Sequence, residues 1–131
     1  MSMLSRPRVR PDAAGIWTED GTTVEFWLEY DTGTEAHPVL IFKMRDYQDL
    51  ATAYRRVRPV LFSLPSADRE RNLHSRLTEA GIWHPAATVA RDSLPAGASV
   101  ADEVWWPTRR RSGRQRLTDL AALMSDECGA P

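Results

Sequence analysis

Apolar and polar residues alternate through residues 23–30. Val24, Phe26 and Leu28 fall on one face of an extended chain, and Glu25, Trp27, Glu29 and Asp31 fall on the other. Ala14 to Thr18 reads as a strand before it. Glu19-Asp20-Gly21-Thr22 supplies turn chemistry between the two, with glycine where a positive φ is needed. The pair predicts a hairpin whose second strand has an apolar face and a face ending in two carboxylates. Thr32-Gly33-Thr34 breaks that strand. From about Pro38 the period lengthens to that of a helix: Leu40, Met44, Tyr47, Ala51 and Tyr54 recur on one side, with proline in the first turn. Arg58-Pro59 is expected to end it. Val60 to Leu64 is an unbroken apolar run, the pattern of a strand buried on both faces. Pro65-Ser66 opens a second helix to about Ala80, with Leu73 and Leu77 inward and Gly81 closing it. Ala86 to Arg91 reads as a strand, Leu94 to Ala101 as a loop and Glu103 to Pro107 as a short last strand. Leu117 to Met124 forms a weak amphipathic helix.

This order of hairpin, helix, strand, helix, strand, strand predicts an α/β fold. Its sheet is mixed, antiparallel at first and then parallel through helical crossovers, with flanking helices. The chain divides into a flexible basic leader (1–10), a single α/β domain (11–107) and an Arg-rich tail (108–131). No internal repeat is present.

Composition narrows the classes. At 131 residues the chain is one domain able to bury a core. Its 42% hydrophobic and 27% charged content are ordinary for a globular protein. No apolar run approaches the roughly 20 residues that cross a bilayer, and Met1 to Asp12 lacks the apolar stretch of a signal peptide. The cytoplasm is the expected location. The lone Cys128 permits no internal disulfide. Net charge is −1 but uneven. Residues 11–107 hold fifteen acidic and nine basic side chains. Arg6, Arg8 and Arg10 precede them, and Arg109, Arg110, Arg111, Arg114 and Arg116 follow. Cationic ends around an acidic body suit contact with a phosphate backbone, and equally suit a solvated tail.

The candidate chemistry lies at the end of the second strand. Glu29 and Asp31 stand two residues apart, so their side chains share a face. Asp12 begins the hairpin and can lie beside them. Converging carboxylates repel unless a cation holds them, and oxygen donors of this kind suit Mg²⁺ or Mn²⁺. Lys43, the only lysine in the chain, sits on the edge of the helical stripe. A lysine there either snorkels to water or reaches an acidic group. Beside a bound metal it can stabilise charge on a phosphoryl transition state. The opposing reading is a solvated strand face, with Lys43 paired to Asp46 or Asp49 on its own helix.

Arg10-Pro11-Asp12, the run Phe26-Trp27-Leu28-Glu29-Tyr30-Asp31-Thr32-Gly33-Thr34-Glu35, and Lys43 with Tyr47 together resemble the replication-relaxation family of actinobacterial plasmids and integrative elements. Pro59 to Pro65, Ala90-Arg91-Asp92 and Val104 to Pro107 extend the resemblance over roughly residues 10 to 120. That family is similar in turn to the PD-(D/E)XK nucleases, whose restriction-endonuclease-like core runs αβββαβ. The resemblance implies Asp12 as the first acid, Glu29 as the second, and Lys43 as a lysine moved from the position Asp31 occupies. It also implies a first helix, for which only ten residues precede Pro11, and an N-terminal winged-helix part. A chain without that helix leaves an apolar surface for a partner or a second copy to cover, so a homodimer is one expectation.

Three function classes follow. The first is a metal-dependent DNA nuclease or nickase in which Asp12, Glu29 and Asp31 hold Mg²⁺ or Mn²⁺ and Lys43 assists catalysis. There, Arg109 to Arg116 meet backbone phosphates. The second is an inactive module of the same fold that binds DNA or a replication or transfer protein, with Trp105 or Trp106 as anchor. The third, a small-molecule enzyme, has little behind it. Thr32-Gly33-Thr34 is no phosphate loop, and His37, His74 and His84 lack the spacing of zinc ligands.

Overall fold

The computed structural model describes residues 9–109 and 113–122. Residues 1–8 of the expected leader and 123–124 of the expected terminal helix lie outside them. Strands β1 (Ala13–Glu19) and β2 (Thr22–Tyr30) form the hairpin. Asp20 and Gly21, at φ 51° and 80°, make its two-residue turn. Two successive positive φ values give the backbone twist that matches the flanking strands. Helix α1 (His37–Tyr54), strand β3 (Val60–Leu64), helix α2 (Ala67–Glu79), strand β4 (Ala86–Ala90) and the two-residue β5 (Trp106–Pro107) follow.

The sheet order is β1-β2-β3-β4-β5. β1 pairs antiparallel with β2, β2, β3 and β4 run parallel, and β5 returns antiparallel. The mixed sheet is therefore as expected. Both helices are crossovers between adjacent parallel strands and cover the same sheet face. There Leu40, Met44 and Tyr47 of α1 and Leu73 and Leu77 of α2 pack on Trp27, Val60, Phe62 and Leu64. Among the described residues the first helix follows two strands, not the three of the αβββαβ order.

The other face is covered by residues from 104 to 121. Leu61, Ala87, Val89 and Val24 pack against Val104, Trp105, Leu117 and Leu120. Leu117 and Leu120 were expected in a tail, and they are core residues. Their segment is a 3-10 turn (Leu117–Asp119) running into helical residues 120–122. The final strand is shorter than expected because Trp105 pairs with Gln115 of this returning segment as an isolated bridge.

Helix α1 stops at Tyr54, four residues before the expected Arg58. Arg55 turns left-handed at φ 53° and its N–H caps the carbonyl of Ala51. Tyr54 is consequently exposed and leaves the stripe, while Leu40, Met44, Tyr47 and Ala51 are buried. Helix α2 begins at the Ser66 cap, whose hydroxyl accepts the N–H of Arg69.

Candidate functional site

Glu29 is the next-to-last residue of β2, at the end where the three parallel strands finish. Alternation turns its side chain to the same face as Trp27, beneath α1. It is 2% exposed. A carboxylate so buried must be answered by donors, and α1 supplies two from one face. Lys43 Nζ lies 3.2 Å from Glu29 Oε1, and the Tyr47 hydroxyl donates to Glu29 Oε2. Lys43 and Tyr47 are four residues apart, one helical turn. Lys43 also reaches Glu35 Oε1 at 3.1 Å. It takes neither Asp46 nor Asp49 for a partner. Burial alone would lower the Lys43 pKa, but its bonds to Glu35 and Glu29 outweigh this and raise it. Burial, the bond to Glu29, and the charges of Glu29 and Asp12 push the Tyr47 phenol far above its ordinary range. Tyr47 therefore remains a donor. Its ring stacks on Trp27 with centroids 5.0 Å apart, which fixes the hydroxyl.

Asp31 is 4% exposed and has a separate partner. Arg69, in the first turn of α2, clamps it with two nitrogens: Nε donates to Oδ2, and Nη2 lies 3.1 Å from Oδ1. The N–H of Gly33 also donates to Oδ1 at 3.1 Å. Burial raises the Asp31 pKa, but Arg69 and Gly33 outweigh it and, with the charge of Arg91, hold it below the ordinary carboxylate value. Asp12 is exposed, and its Oδ2 accepts the N–H of Tyr30 at 2.8 Å. The hairpin register sets Ala13 opposite Leu28, so Asp12 stands across from Glu29.

The fold thus brings Asp12, Glu29 and Lys43 to one place and turns Asp31 aside to Arg69. Two buried acids are already neutralised by cations of the chain. No group of three or more His, Cys, Asp or Glu side chains able to hold a metal ion occurs among the described residues. A divalent ion at Glu29 would share oxygens already bonded to Lys43 and Tyr47, and one at Asp31 oxygens already bonded to Arg69 and Gly33. The acids that the sequence offered to Mg²⁺ or Mn²⁺ are paired within the protein, Glu29 with Lys43 and Asp31 with Arg69.

Of the expected phosphate-binding arginines, Arg114 is committed within the fold. Its guanidinium grips Glu70 bidentately, at 2.7 and 3.0 Å, and donates to the Val104 carbonyl. Arg116 faces Glu19 at 4.0 Å and Asp119 at 3.8 Å. Arg109 donates to the Trp83 carbonyl at 3.1 Å. Arg110 and Arg111 lie outside the described residues. Trp105 is core, and Trp106 is half-buried against His74. Arg69, Tyr47 and Arg91 are the site residues that sequence reading did not assign. The turn-spaced pair Lys43 and Tyr47 was the visible signal for one of them. Nothing local marks Arg69, which reaches Asp31 from 38 residues away.

Residues 2–61 match the family model for replication-relaxation. The match covers a little under half of the chain, including β1, β2, α1 and the Asp12, Glu29, Asp31 and Lys43 positions. Over that stretch the chain is similar to the replication-relaxation family. No curated protein and no solved structure matches the chain. No helix among the described residues is long and apolar enough to cross a membrane.

Proposed function

We propose that the chain is a DNA-binding module of plasmid or mobile-element replication, on a restriction-endonuclease-like scaffold, that does not cut DNA. One observation carries this reading. Each buried acid at the site has its own cation or hydroxyl donor, Glu29 with Lys43 and Tyr47, Asp31 with Arg69. A hydrolytic site needs carboxylate oxygens facing a ligand, and these face the protein. Salt-bridged acids of this kind act structurally: they join the end of β2 to both crossover helices. Contact with DNA falls to Arg109, Arg110, Arg111 and Arg116, which meet phosphates without reading bases.

A second reading is hydrolysis at Asp12, Glu29 and Lys43. The observation in its favour is that a strand register and a helical turn gather these three from positions far apart in sequence. It requires Glu29 to take a metal beside its bonds to Lys43 and Tyr47.

One assay separates the two. Supercoiled plasmid is incubated with the protein and Mg²⁺ or Mn²⁺, wild type beside Glu29→Ala and Lys43→Ala, with a gel shift on the same DNA. The expected outcome is a retarded plasmid that stays supercoiled with either metal, and a melting temperature that neither metal raises. Nicking that disappears in both variants overturns the binding-module reading and establishes hydrolysis.

A further inference from the structure

Tyr30 is the last residue of β2 and is 54% exposed, in contrast to the buried Glu29 and Asp31 on either side of it. Its ring is nevertheless held. The Arg91 guanidinium lies 4.2 Å from the ring centroid, over one face. Arg91 is itself fixed. Nη2 donates to the Asp31 carbonyl at 2.6 Å, and Nη1 donates to the Ser63 carbonyl at 2.6 Å and the Ser63 hydroxyl at 3.1 Å. These partners close the ends of β2 and β3, so the cation is positioned by the sheet. The Tyr30 N–H is anchored on Asp12. Packing in the core does not account for this arrangement, because most of the Tyr30 surface remains in water.

We infer that Tyr30, backed by Arg91, is a stacking platform for an unpaired base of single-stranded DNA. The inference rests on the DNA-binding reading above and narrows it to a substrate class. A flat aromatic with a cation behind it offers what a base and its adjoining phosphate recognise, a π-face and a positive charge. A duplex hides its base faces in the stack, so a single open ring can engage only a base that is unstacked. Thr32 and Thr34 are exposed in the loop that follows and carry hydroxyls able to meet a phosphate. The Tyr30 ring itself carries no charge. The platform therefore adds affinity by stacking and contributes little to salt dependence.

The test is fluorescence anisotropy with a labelled single-stranded oligonucleotide and the matching duplex, for wild type, Tyr30→Ala and Tyr30→Phe, over a salt series. Melting curves check each variant. Wild type is expected to prefer the single strand. Tyr30→Ala weakens that binding about 5- to 100-fold at unchanged melting temperature. Tyr30→Phe stays within about twofold, since stacking needs the ring and not the hydroxyl. The slope of affinity against salt is the same in all three. If wild type binds DNA and Tyr30→Ala binds it equally well, the platform is overturned while the DNA-binding reading stands. If wild type binds neither strand form, the DNA-binding reading falls and the platform with it.

Discussion

At the scale of single residues, the site is a problem in burying charge. Asp31 and Arg69 have little access to water, with side-chain exposures of 3% and 15%. A buried pair gains little over an apolar pair, but a buried charge that loses its partner is costly. Arg69→Met is therefore expected to cost about 3 kcal/mol in urea unfolding. Adding Asp31→Asn should restore part of that loss, because the stranded charge is gone. A cost below about 1 kcal/mol for Arg69→Met, or no recovery in the double variant, would show that the pair is effectively solvated. The depressed Asp31 pKa sets the sign with pH. Its contribution is present above the unfolded value of 3.8 and is lost as pH falls through the lower folded value. Part of this was legible in the sequence. Lys43 at the edge of an apolar stripe was read as snorkelling to water or reaching an acidic group, and it reaches Glu29. Asp31 was read as a metal ligand because the cation that answers it comes from a helix whose docking no local pattern reveals.

At the scale of elements, two histidines tie helices and loops to the sheet in neutral form. On α2, His74 lies 2.8 Å through Nε2 from the Thr88 hydroxyl of β4, which donates its own proton to Glu70. His74 Nε2 must then be the donor. His84 donates through Nε2 to the Arg58 carbonyl at 2.6 Å, just before β3. Burial drives both pKa values down, to about 4 in each case. For a base held neutral by folding, the unfolded chain takes up the proton first. Stability is thus full above the ordinary value of 6.5 and falls as pH drops from there toward 4. The loss should be on the order of 3 kcal/mol per histidine. Melting temperatures between pH 7 and pH 4.5 check this, with His84→Asn expected to flatten the profile. A profile that is flat in the wild type would sink it. Both histidines lie under other elements, His74 beneath Trp106 and His84 beside Trp27 and Tyr47.

At the scale of the whole molecule, the sheet is covered on its second face by residues from 104 to 121, and Arg114 fastens that segment. Glu70 is almost fully buried on α2, and its carboxylate is held by Arg114 and Thr88. Arg114→Ala should cost about 2 kcal/mol and open the segment after Pro107 to proteolysis before the helices are cut. Equal resistance in both proteins would mean that Leu117 and Leu120 hold the segment unaided. The sequence by itself determined what depends on neighbours in the chain. Alternation gave the hairpin, period 3.6 gave both helices, an apolar run gave the doubly buried β3, and connection length gave the parallel crossovers. Which charges meet was decided only by the tertiary structure. Arg69 finds Asp31, Arg114 finds Glu70 and Arg91 finds the Asp31 carbonyl over separations of 38, 44 and 60 residues. Such pairs leave no periodic trace, because side-chain electrostatics acts through space once the sheet and helices are packed.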